Sequence, residues 1–177
     1  PEMSIEHLEG LADETFPALT AVGIVGRGEP FAVSNRLWGT LVERVRRDRV
    51  FLTAVTNGTL MTRRITPEVM PLLETLTVSV DGGSEETFGR HRGGARLEDL
   101  LERVTAFDQA RRASGLVRRP RLGFSWTLMR DNIEELPGFL EQVAPLEPDL
   151  FYSRHLFVFH EATRDQSIHD KPHLVNG

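Results

Sequence analysis

Apolar positions in this chain recur at two spacings, and the switches between them divide it into helix-like and strand-like segments. Ile5, Leu8, Leu11 and Ala12 fall at helical spacing behind Ser4, a residue suited to cap them. Pro17 ends or kinks that helix, and the apolar run Ala21 to Val25 reads as a strand. A second helix is predicted over roughly Asn35 to Arg47, with Leu37, Leu41 and Val45 on one face, followed by a strand from Val50 to Val55. Thr66-Pro67-Glu68 reads as the cap, first-turn proline and acidic first turn of a short helix. Leu76 to Val80 alternates as a strand. Leu97, Leu100, Leu101, Val104 and Phe107 form the stripe of the longest helix, which Gly115 closes. Arg121 to Leu128 is the next strand. An Asp131-Asn132 cap then opens a helix carrying Ile133, Leu136, Leu140 and Val143, and a last strand-like run covers Leu150 to Phe159.

Five strands alternating with about five helices predict an α/β fold with a parallel sheet, because the connections are long enough for crossovers. Such units build a doubly wound sheet or a barrel, and both place their sites at the carboxyl ends of the strands. Gly23, Gly26 and Gly28 give G-x-x-G-x-G rather than the dinucleotide pattern G-x-G-x-x-G. The following strand ends in Thr56-Asn57, without the acid that binds a ribose. The barrel-like reading is therefore preferred, as one domain over residues 1–177.

Composition removes several function classes. The formal net charge of −5 argues against nucleic acid as a partner. No apolar run approaches the ~20 residues of a membrane helix, and no signal peptide opens the chain, so a cytoplasmic protein without a membrane partner is expected. The absence of cysteine excludes disulfides, thiolate chemistry and iron–sulfur ligation by these residues.

The candidate chemistry lies in the corners that end the strands. In Gly26-Arg27-Gly28-Glu29-Pro30 a carboxylate stands between glycine, which allows close approach of a ligand, and proline, which fixes the chain direction. An acid held there can receive a cationic group, although it can also merely cap a loop. Thr56-Asn57-Gly58 and Ser79-Val80-Asp81-Gly82 end the next two strands, which suggests one shared site. His169 and His173 have the i, i+4 spacing of helical metal ligands but lack a third ligand, and His160 follows the last strand, where it could reach a substrate. The runs Arg44 to Arg49 and Arg118 to Arg121 lack interleaved aromatics and read as solvated faces near helix ends.

At these corners the chain resembles the radical S-adenosylmethionine (radical SAM) enzymes, in particular the peptide-modifying branch that often carries an auxiliary-cluster tail. Gly26-Arg27-Gly28-Glu29-Pro30 is similar to the family's glycine-glycine-glutamate-proline motif, and Thr56-Asn57-Gly58-Thr59-Leu60 to the segment ending its third strand. Ser79-Val80-Asp81-Gly82 with Arg92-Gly93-Gly94 resembles the fourth strand and its loop, and Asn132 fits the head of a later helix. The resemblance implies a partial (βα) barrel whose first strand is missing, and a chain truncated at both ends. It implies two cofactors, S-adenosylmethionine and a [4Fe–4S] cluster, which together yield a 5′-deoxyadenosyl radical that abstracts hydrogen from a substrate such as a peptide. By position, Glu29 would bind the ammonium of SAM with the backbone around Gly28 and Pro30, Ser79 would face the ribose or carboxylate, and Arg92 would take an anionic group. Asn57 and Asp81 would line the cavity. The departure is the family's C-x-x-x-C-x-x-C, which has no counterpart here and is expected upstream of Pro1. Two other readings stay open: a cluster-less recognition module, and a phosphate-handling barrel lyase with Gly82-Gly83 or Gly93-Gly94 as the phosphate cradle.

Overall fold

A computed structural model of the chain describes residues 3–25, 28–157 and 161–168. Its five strands are β1 (Ala21–Ile24), β2 (Phe51–Thr56), β3 (Leu73–Ser79), β4 (Arg121–Leu128) and β5 (Leu150–His155). They form one sheet in the order β1-β2-β3-β4-β5, and each neighbouring pair is parallel. The helices are α1 (Ile5–Thr15), α2 (Asn35–Asp48), α3 (Met61–Arg64), α4 (Glu85–His91), α5 (Leu97–Ala113) and α6 (Leu136–Val143). A doubly wound sheet reverses its strand order to put helices on both faces. Here the order never reverses, so right-handed crossovers lay the connecting helices on one face, as in part of a (βα) barrel.

The register separates the two faces. Leu52 and Ala54, Leu76 and Val78, and Leu122, Phe124 and Trp126 share the helix side, and all are buried. Against them pack Leu37, Leu41 and Val45 of α2, Leu100, Val104 and Phe107 of α5, and Phe139 and Val143 of α6. Phe139 meets Phe124 edge-on at 5.5 Å between centroids and Trp126 at 5.1 Å. The opposite face is mixed: small and hydroxyl side chains, Gly23 and Thr53, Thr75 and Thr77, then Ser79, Gly123, Ser125 and Thr127, share it with Phe51, Val55, Leu150 and Tyr152.

Several elements differ from the sequence expectation for identifiable reasons. Thr66-Pro67-Glu68 starts only a turn and a 3-10 segment, Met70–Leu72, because Pro71 has no N–H to donate to the carbonyl four residues back. β3 therefore begins at Leu73 rather than Leu76. The α4 helix was not anticipated, although Ser84 caps it by accepting from the Thr87 amide and two acids occupy its first turn. Leu140 is exposed because a 3-10 turn, Ile133–Glu135, precedes α6 and rotates its apolar face onto Phe139 and Val143. Arg44 is not solvated but buried, paired to Asp13 at 2.7 Å and to Asp48 at 3.2 Å. Arg118 lies in the connection before β4 rather than at a helix end, bonded to Glu74 at 2.5 Å and stacked 4.3 Å from the Phe51 ring. His160, His169 and His173 lie outside the described residues.

Candidate functional site

The carboxyl ends of the strands share one edge of the sheet, and two hydrogen-bonded clusters form along it. The first surrounds Glu29, which follows β1 and is half-buried between Gly28, at φ 103°, and Pro30. Its Oε1 accepts from the Phe31 amide at 3.1 Å and from the Thr56 hydroxyl at 2.7 Å, and its Oε2 accepts from the Asn57 amide at 2.8 Å. Glu29 thus does cap the short turn Pro30–Ala32. Two of its three partners, however, come from the end of β2, so the carboxylate also ties two strand ends together. A carboxylate has about four acceptor positions. Among the described residues three are used, and the fourth is on Oε2. Gly28, Glu29 and Pro30 line a hollow of about 590 Å³ along β1, whose walls are otherwise apolar side chains such as Leu8, Leu37 and Trp38.

The second cluster joins Ser79, Asp81 and Arg92. Arg92 donates from Nη2 to the Ser79 hydroxyl and to Asp81 Oδ2, each at 2.7 Å, and from Nε to the Val80 carbonyl at 3.1 Å. Its Nη1 makes no hydrogen bond among the described residues. Asp81 adopts φ 68°, and its Oδ1 accepts from the Thr127 amide at 2.5 Å. Asn57 and Arg92 both line a separate hollow of about 430 Å³ beside α4 and α5, which brings the two clusters to one wall. The Asn57 side chain is partly occupied, since its Oδ1 accepts from the amide and hydroxyl of Thr59 at 2.9 and 2.6 Å. Its contribution to Glu29 is through its backbone.

Asp131-Asn132 does not cap a helix. Buried Asn132 instead bridges two strand ends, donating to the Asp81 and Thr127 carbonyls at 3.1 and 2.9 Å and accepting from the Met129 amide at 2.9 Å. Asp131 pairs with Arg90 at 3.2 Å and His91 at 3.1 Å of α4. The sequence reading assigned Thr56 no role beyond its corner motif and missed Arg64 and Glu135. Glu135 accepts from the Gly83 and Ser84 amides at 2.8 and 3.2 Å, and from the Ser84 and Thr87 hydroxyls, both at 2.8 Å. The Gly82-Gly83 corner is therefore filled by a carboxylate and is not open to a phosphate.

Burial of Glu135 acts to raise its pKa, but the four donors outweigh that and hold it below the ordinary carboxylate value. A depressed folded-state value stabilises the protein above the unfolded-state pKa. We expect that contribution to be lost as the pH falls from about 4.5 through the folded value. Acid unfolding followed by circular dichroism should show a shallower loss below that pH for Glu135→Gln than for the unsubstituted chain; identical acid limbs would contradict the clamp.

No cysteine is present in the chain, and no group of three His, Asp or Glu among the described residues is arranged to hold a metal. The chain's own residues therefore do not fit an iron–sulfur cluster. No helix among the described residues is long and apolar enough to cross a membrane.

No protein-family model and no curated protein matches the chain. Solved structures do. A structure of anSMEcpe with bound AdoMet and Kp18Cys peptide superposes with a TM-score of 0.67 at 13% identity, covering 93% of this chain and 47% of that one. Streptococcus suis SuiB bound to its precursor peptide SuiA gives 0.58 at 17% identity, covering 88% and 34%. A domain of pyruvate-formate lyase-activating enzyme from Bacteroides vulgatus gives 0.55 at 16% identity, covering 88% and 90%. The chain thus spans less than half the length of the first two. All three are radical SAM enzymes, and the present chain has their fold.

Proposed function

We propose that this chain is the S-adenosylmethionine-binding portion of a radical SAM enzyme acting on a peptide, with Glu29 as the acceptor for the ligand's ammonium. One observation carries the reading: a carboxylate fixed at the strand ends by three donors, with one acceptor position left beside an open hollow. An ammonium completes that carboxylate with a charge-assisted bond, roughly twice as strong as a neutral one. Gly28, without a side chain, lets the ligand approach the backbone. Arg92 Nη1 supplies donors for a carboxylate or ribose oxygen, and Ser79 and Asp81 hold that guanidinium in place. Bound SAM would supply the radical chemistry of the family, for which the cluster would have to come from outside these residues. Two of the structurally similar enzymes hold peptides, and the hydroxyls that β3 and β4 present on the face away from the helices suit an extended peptide, whose amides and carbonyls need polar partners.

Calorimetric titration with SAM tests the reading. Glu29→Gln should weaken binding by roughly 1.5–3 kcal/mol, the range for hydrogen bonds to charged groups, and Ser79→Ala by about 1 kcal/mol. Affinities equal to that of the unsubstituted chain would assign the corner to fold maintenance and favour a recognition module.

A further inference from the structure

Thr56 enters the sequence reading only as part of a corner motif without a role of its own, and Arg64 does not enter it, yet both converge on the Glu29 corner from different directions. Thr56 ends β2 and is buried, with 2% of its surface exposed. Its hydroxyl donates to Glu29 Oε1 at 2.7 Å and accepts from the Gly58 amide at 3.0 Å, so the direction of its proton is dictated by the turn. Arg64 ends α3 and is also buried. It donates from Nε to the Phe31 carbonyl at 2.8 Å, from Nη1 to Asn35 Oδ1 at 3.0 Å and from Nη2 to the Val33 carbonyl, and it stacks 5.7 Å from the Trp38 ring. One guanidinium thus grips both ends of the segment 31–33 that leads away from Glu29. It carries no ion pair to an acid among the described residues, and burial lowers its pKa, so these backbone carbonyls are its main compensation. A buried cation committed to two carbonyls of one loop is a strong restraint on that loop.

We propose that Thr56 and Arg64 are positioning residues that present the free acceptor position of Glu29 Oε2 to a ligand ammonium. Thr56 sets the rotation of the carboxylate by occupying Oε1. Arg64 sets the placement of its backbone by fixing the turn whose Phe31 amide supplies the third bond. The inference rests on the reading of Glu29 as the ammonium acceptor. It extends that reading to a prediction about discrimination: the two residues govern affinity for the amino-acid arm of SAM and not for its adenosine.

The probes are SAM and 5′-methylthioadenosine, which keeps the nucleoside and the methylthio group but has a neutral thioether in place of SAM's sulfonium and no amino-acid arm, titrated to millimolar concentration against the chain and followed by NMR shifts. Thr56→Val preserves shape and removes the hydroxyl. It should weaken SAM about tenfold and leave 5′-methylthioadenosine unchanged, while Thr56→Ser restores SAM binding. Arg64→Lys, which cannot grip two carbonyls and Asn35 together, should give the same selective loss. Added to Glu29→Gln, Thr56→Val should have no further effect, because its object has gone. Equal losses for both probes in Thr56→Val, or no loss in either, would overturn the positioning role. If Glu29→Gln itself leaves the ratio of the two affinities unchanged, or the unsubstituted chain does not bind SAM, the functional reading fails instead and this inference with it.

Discussion

Replacing Arg111 with methionine is expected to cost about 3 kcal/mol of stability and to lower the melting temperature by roughly 6–12 °C for a chain of this size. Arg111 projects from α5 with only 6% of its side chain exposed. Its Nε bonds Asp108 at 2.8 Å, and its Nη1 bonds the Pro120 carbonyl at 2.9 Å and Asp149 at 2.8 Å. Asp149 in turn accepts from the Leu122 amide at 2.8 Å, so this guanidinium joins the long helix to the amino-terminal ends of β4 and β5. Its removal leaves the buried Asp108 carboxylate with Arg112 alone, at 2.7 Å, and that remaining partner keeps the loss at the low end of the ~3–5 kcal/mol for a broken buried pair. Arg111→Lys, which retains the charge without the planar fork, should fall between the two. Denaturant and thermal melts supply the numbers. The network lies at the end of the sheet opposite Glu29, so SAM affinity of the folded protein should not change. A loss of affinity at full stability would mean that the two ends are coupled.

Gly82→Ala should be as damaging to the fold, at about 3 kcal/mol, and should also remove ligand binding. A Cβ at Gly82 would lie 2.4 Å from the Phe88 nitrogen and 2.6 Å from its Cα. These are backbone atoms of α4 and cannot rotate aside, so the helix itself must shift. Arg92 stands at the end of that helix and is bonded to Ser79 and Asp81, so the displacement is transmitted directly to the second cluster. Thermal melts and SAM titration of the same sample provide the check. A variant that melts and binds like the unsubstituted chain would show that α4 moves freely over the β3 corner.

Local pattern made the architecture legible. β4 coincides with the run read from its alternation, and α2 and α5 with their apolar stripes, because burial on one face imposes a period on the residues themselves. The corner residues were legible as positions: Ser79, Asp81 and Arg92 do form one cluster, and Glu29 meets the backbone of Asn57. What could not be read was their partners. Thr56 lies 27 residues from Glu29, Asn132 lies 51 from Asp81, and Glu135 lies 48 from Thr87. Such bonds depend on strand register and on the height at which each corner leaves the sheet, neither of which has a local signature. Arg64 has no local signature at all, and Arg44 is one member of a basic run; only tertiary packing distinguishes them from solvated arginines.

The unreversed strand order also sets the sequence of events during biosynthesis. Each strand after β1 pairs with the one made immediately before it, so the sheet can widen in the direction of translation without waiting for distant chain. The β3 corner is the exception. Its Gly83 amide is satisfied only by Glu135, 52 residues later, which at about 5–20 residues per second emerges roughly 3–10 s afterwards. During that interval α4 has its own Ser84 cap but not the carboxylate that fastens its start to the turn before α6, and this half-made corner is where a nascent chain would be most open to a chaperone or a protease.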